Sequence, residues 1–162
     1  MSKFYFFWSG PFSQWAIRPM TIEGVKYNCC EQYMMAEKAK LFGDERVLAL
    51  IMKATDPYDQ KMLGRDVSPF NKDKWEAIAR EVVYKGNYAK FTQHPDLRQK
   101  LMDTGDKVIV EASPDDRIWG IGLRSSDPRA QDPKTWRGTN WLGEAIMRVR
   151  EQLRGEDADQ HD

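Results

Sequence analysis

The segment Tyr27-Asn28-Cys29-Cys30-Glu31-Gln32-Tyr33-Met34-Met35-Ala36-Glu37-Lys38-Ala39-Lys40-Leu41-Phe42 constrains this chain more than any other. It reads as one helix. Asn28 is a good N-cap residue, and Glu31 three positions later completes a capping-box pattern. Glu31 and Lys38 are seven residues apart, close to two helical turns, so their side chains point roughly the same way. Cys30, Met34 and Leu41 share that side, whereas a solvated helix places its charges on the opposite face. An acid and an amine held against apolar neighbours carry shifted pKa values, the condition that acid–base and Schiff-base chemistry needs.

The chain's 162 residues fit one domain able to bury a core, and 41% hydrophobic with 31% charged residues mark a globular protein. Lys+Arg and Asp+Glu both number 25, so net charge gives no argument for an extended nucleic-acid surface. No apolar run approaches a membrane span, and Met1–Trp8 is too short and too aromatic for a secretory signal. Cys29 and Cys30 are adjacent, a poor arrangement for a disulfide or a zinc site. They read as buried, reduced thiols, and the expected compartment is cytoplasmic.

Hydrophobic periodicity and turn signals predict an α+β class, mostly helical around a small β-sheet in a single compact domain. A short strand at 3–8 precedes a Gly-Pro loop, and Glu23-Gly24 joins strands 20–22 and 25–27 as a hairpin. The opening helix follows. Asp44, Asp56-Pro57 and Asn71 then cap three more helices, with Trp75, Ile78, Ala79, Val82, Val83, Gly86 and Ala89 or Lys90 as the buried stripe of the longest. After His94-Pro95 come a short helix at 96–104 and a strand at 107–112; 117–122 reads as a second strand or an ordered loop. The polar stretch 123–138 is long enough to be functional. Asn140 caps a last helix with Leu142, Ala145, Ile146, Val149 and Leu153 on its core side. Residues 1–154 form the domain, and 155–162 a disordered acidic tail.

Each candidate for chemistry also has a structural reading. Glu31 serves a capping box and Lys38 can snorkel to water. Asp115 and Asp116 suit the turn after Pro114, and Arg65 suits either a helix C-terminus or a phosphate. His94 and His161, the two histidines, give no Ser-His-Asp triad, and Trp119-Gly120-Ile121-Gly122 is no dinucleotide fingerprint because no helix follows. From the residues alone the chain is an α+β domain with an acid–amine helix.

Five stretches in this order resemble the NADAR (YbiA-like) family of N-glycosidases: Phe12-Ser13-Gln14-Trp15, Tyr27 to Ala39, Leu63-Gly64-Arg65, Trp119-Gly120-Ile121-Gly122, and Asn140-Trp141-Leu142-Gly143. The similarity runs from about Phe4 to Leu153. It implies hydrolysis of the bond between a ribose anomeric carbon and an amino-linked base. One branch acts on ribosylamino-pyrimidine phosphates of riboflavin synthesis, the other on ADP-ribosylated guanine in nucleic acid. The resemblance places Glu31 and Lys38 at the family's acidic and lysine positions. Some members carry an acid directly after Trp-Gly; here that position is Ile121, so the role is either absent or carried by Asp115 or Asp116.

These residues support two routes. In one, Lys38 attacks the anomeric carbon to form a Schiff base while Glu31 moves protons. In the other, Glu31 or Asp116 activates water directly. Phe7, Trp8 and Trp119 are candidates to sandwich the base, with Gly120 beside them, and Arg18, Arg65 and Arg124 to hold phosphate. The expected partner is a small ribosyl phosphate or ADP-ribosylated nucleic acid, with no membrane, metal or cofactor. The competing class is a module that binds ADP-ribose without cleaving it.

Overall fold

A computed structural model describes residues 2–160. Its contacts divide the chain into two compact units: Gln14–Gln93, and the N-terminal stretch through Ser13 together with everything from His94 onward. The α+β expectation holds, with six helices and two small two-stranded sheets among the described residues.

The Gln14–Gln93 unit opens with an antiparallel hairpin, β1 (Met20–Ile22) and β2 (Val25–Tyr27). Glu23 at φ 52° and Gly24 at φ 82° make the left-handed turn that matches strand twist. Four helices follow: α1 (Cys30–Leu41), α2 (Glu45–Lys53), α3 (Pro57–Arg65) and α4 (Lys72–Gln93). Asp44, Asp56 and Asn71 accept from Val47, Tyr58 and Lys74 backbone N–H groups respectively, as their cap positions predict. α1 packs against α2, α3 and α4 together. This corrects the picture of one apolar face: Cys30 through Ala36 are all buried, whereas Leu41 is exposed. A helix enclosed by three others buries every side of its first turns.

The other unit pairs a first strand, β0 in chain order (Phe4–Phe7), with β3 (Val108–Glu111) in parallel, Phe7 opposite Glu111. Helix α5 (Pro95–Asp103) precedes β3, and α6 (Trp141–Gln160) packs on it. Val110, Ala112, Ile121, Leu123 and Ala130 form a core beneath Phe4, Phe6 and Trp136. Residues 117–122 are an ordered loop rather than a strand, and 123–138 contains two short 3-10 turns.

Two local expectations change. Asn140 does not spend its side chain on the start of α6: it accepts from Glu111 N–H at 3.0 Å and donates to Ile109 carbonyl at 3.0 Å, completing the free edge of β3. The expected tail is helical through Gln160, because Asp157 pairs with Arg98 at 2.6 Å and Gln152 reaches Glu156. His161 and Asp162 lie outside the described residues.

Candidate functional site

The entry to α1 differs from the expected capping box. Cys29 is the N-cap residue and its side chain makes no cap bond. The Asn28 N–H is taken by Gln32 Oε1 at 2.8 Å, because Asn28 stands one residue too early for Glu31 to reach back. Asn28 instead donates to Thr55 carbonyl and accepts from Gln60 Nε2, tying the helix entry to α3. Glu31 N–H donates to Gln14 carbonyl at 3.0 Å, and the residue is only 4% exposed. Its position is therefore fixed through the backbone.

Lys38 is half-buried two turns further on, with Nζ 4.7 Å from the centre of the Phe70 ring. Burial lowers the pKa of its amine, the Glu31 carboxylate raises it, and the Arg65 guanidinium lowers it again; the net direction is down. Glu31, Lys38 and Arg65 thus share one electrostatic environment. Gly64 does not open space for a ligand beside Arg65. A Cβ there would run into Met35 Sδ, so this glycine lets α3 approach α1. Arg65 itself is exposed, at the end of α3.

Arg18 falls elsewhere in this unit. Its charge acts on Lys90 of α4, which is fully buried. Burial lowers the Lys90 pKa, Cys30 and Cys29 oppose, and Arg18 adds to the lowering. In the sequence Lys90 is only an alternative to Ala89 in the core stripe of α4. Its spacing four residues after Gly86, on the face where a Cβ would meet Tyr33 at 3.0 Å, was the available signal. The two cysteines are free and buried, as expected. Burial pushes Cys30 up to about 11 and Cys29 to about 12, so both are neutral thiols; Cys29 Sγ donates to Gln60 Oε1.

The remaining candidates belong to the other unit. Asp116 Oδ1 accepts from Ile118 N–H at 2.9 Å and Trp119 N–H at 2.8 Å, the pattern of an Asx turn. That turn presents Trp119, whose ring packs edge-on against Trp141 with centroids 5.7 Å apart. Gly120 is hemmed in: a Cβ would lie 2.9 Å from Glu111 carbonyl, 3.0 Å from Glu111 Oε2 and 3.1 Å from Asp116 carbonyl. Ile121 is fully buried in the core, which accounts for an apolar residue at this position. Glu111, absent from the sequence candidates, brings a carboxylate to Gly120 from the end of β3. Phe7, Trp8 and Arg124 meet around a cavity at the carboxyl ends of β0 and β3. Among the described residues, no group of three or more His, Cys, Asp or Glu side chains is arranged to hold a metal ion.

The NADAR domain model matches residues 4–154. Protein irg-1 of Caenorhabditis elegans is 44% identical over 131 residues, covering 80% of this chain and 62% of that protein, so the chain spans under two thirds of its length. An N-glycosidase of Acanthamoeba polyphaga mimivirus is 45% identical over 130 residues, covering 80% of this chain and 76% of its own. N-glycosidase YbiA of Escherichia coli is 33% identical over 144 residues, 89% of this chain and 81% of that protein. The NMR structure of E. coli YbiA superposes with a TM-score of 0.80 at 32% identity, covering 98% of this chain and 89% of that one. With a family model spanning nearly its whole length and relatives of this similarity, the chain belongs to the NADAR domain family.

Proposed function

We propose that this protein is a hydrolase acting on N-glycosyl compounds, cleaving the bond between a ribose anomeric carbon and an amino-linked base. The observation that carries the reading is the pairing on α1 of a buried carboxyl, Glu31, with a half-buried lysine whose amine is drawn toward its neutral form. Membership of a family with relatives named N-glycosidase supports it.

In this account the substrate opens its sugar ring to an imine at the anomeric carbon, and the imine nitrogen takes up a proton. Neutral Lys38 adds its electron pair to that carbon, and Glu31 carries a proton from Lys38 Nζ to the departing nitrogen. The old C–N bond breaks with its electron pair leaving on the base, and a protonated Schiff base to Lys38 remains. Water adds to the same carbon, the Lys38 bond breaks, and the sugar leaves as free ribose or its phosphorylated form. The sum is one water consumed for one base and one sugar released. Arg65 holds a substrate phosphate beside the amine. Asp116 shapes the turn that presents Trp119 and Gly120, rather than transferring the proton itself.

The substrate class is a ribosylamino-pyrimidine phosphate or ADP-ribosylated guanine in nucleic acid. Incubating the purified protein with each, and following free base and sugar, tests the reading. Release from one identifies the substrate; tight binding of ADP-ribose without release from either substrate overturns hydrolysis in favour of a binding module.

A further inference from the structure

Lys38 and Phe42 are four residues apart, so they are neighbours on one side of the end of α1. One aromatic ring meets both. Phe70, in the loop between α3 and α4, sets its ring edge-on against Phe42 with centroids 5.3 Å apart, and Lys38 Nζ stands over the same ring, 4.7 Å from its centre. The loop is pinned just before Phe70. Asp44 Oδ1 accepts from Val47 N–H at 3.0 Å to cap α2, its Oδ2 accepts from Ser68 N–H at 2.9 Å, and Val67 is buried. Phe70 itself is 49% exposed. Burial alone gives a poor reason for a phenyl group there. Its contact with the amine gives a better one.

The face of a phenyl ring is negative, so it attracts an ammonium within about 6 Å and has little hold on a neutral amine. The charged groups that act on Lys38 are Glu31 on α1 and Arg65 at the end of α3. Phe70 joins Glu31 in favouring the cation, without adding a charge of its own. The protonated Schiff base of the proposed reaction is a cation at the same nitrogen. Lysine is also long and rich in rotamers, and a ring fixed against Phe42 narrows where its amine can go. We propose that Phe70 is a positioning residue for Lys38: its ring confines Nζ and stabilises positive charge on that nitrogen, as ammonium before attack and as iminium after it. This deepens the reading above and rests on it for the iminium alone.

Competitive acetylation of the whole protein with acetic anhydride across a pH series, read by peptide mass spectrometry, reports the protonation of Lys38 without any substrate. Phe70→Leu keeps an apolar cover but loses the π face, so the Lys38 midpoint moves to lower pH. Phe70→Trp offers a stronger face and moves it to higher pH, and Phe70→Tyr leaves it near the parent. The position is half open to water, and circular dichroism checks that each variant folds. A purely structural role does not send Leu and Trp in opposite directions. Midpoints that stay in place, or move the same way in both, overturn the proposal whether or not the protein proves to be a hydrolase. Turnover reads the iminium separately. Above the ascending limb the resting amine is neutral and gains little from the ring, whereas the developing cation gains fully. Phe70→Leu therefore lowers kcat there by about three- to tenfold and leaves KM within about twofold. An unchanged kcat in an active enzyme overturns the role in the intermediate.

Discussion

Glu31 and Lys38, two turns apart on α1, act in opposite senses on one proton equilibrium: burial draws the Lys38 amine toward neutrality, and the Glu31 carboxylate holds it charged. Arg65, at the end of α3, works with burial. The protonation of Lys38 is therefore set by three residues from two helices.

This balance has a direction in pH. Activity that needs neutral Lys38 rises with pH through the lowered pKa of that amine. Glu31→Gln removes the charge that raises it, so the ascending limb of kcat/KM moves to lower pH. Arg65→Ala removes a charge that lowers it, and the limb moves to higher pH. The pH profile of each variant checks this; limbs that stay in place contradict the coupling.

Asp116 separates two roles by the choice of replacement. Asp116→Asn keeps an oxygen for Ile118 and Trp119 N–H, so turnover stays within about threefold of the parent, whereas Asp116→Ala loses the turn. A proton-transferring carboxylate predicts instead that Asn and Ala are equally damaging, by about a hundredfold or more. Steady-state turnover of the two variants distinguishes these outcomes.

Asn140 anchors the free edge of β3 through both atoms of its amide, from a backbone at φ 54°. Asn140→Ala leaves the Glu111 N–H and Ile109 carbonyl without their partners and places an alanine in the left-handed region. The expected loss is about 2–4 kcal/mol. Asn140→Gly relieves the backbone but not the lost bonds, so it recovers only part. Urea midpoints of the three proteins check the order.

Lys90 links stability to pH. Its folded pKa is lowered by burial, so the unfolded chain binds its proton more tightly. The cost of keeping Lys90 buried is therefore small near the ordinary lysine pKa and grows as pH falls toward the folded value. Cys29, Cys30 and Arg18, which face Lys90, remain in Lys90→Met, so the variant isolates the lysine. Its stability relative to the parent increases as pH is lowered from about 10 toward neutrality. Urea unfolding at several pH values measures the difference; a constant difference contradicts the buried, lowered amine.

Much of this architecture was legible in the sequence because local signals act locally. Glu23-Gly24, Asp44, Asp56-Pro57 and the core stripe of α6 each carry their own instruction, and each is found as expected. The misreadings arose where a side chain works at long range. Asn28 and Asn140 look like helix caps, but their amides reach Thr55 and β3, and no spacing within a helix encodes that. Glu111 and Lys90 each fit an ordinary strand or stripe position, so nothing local marks them. Their surroundings come from Gly120 and from α1, distant in the chain. Gly64 likewise takes its meaning from a distant neighbour, Met35 of α1, which no local pattern encodes.

The central claim is that Lys38 forms a covalent bond to the sugar. Borohydride added during turnover reduces a Schiff base to a stable amine, and peptide mass spectrometry locates it. The account predicts a substrate-dependent sugar adduct on Lys38, lost in Lys38→Ala together with activity. Turnover without any adduct, or an adduct on another lysine such as Lys90 with full activity retained in Lys38→Ala, contradicts it.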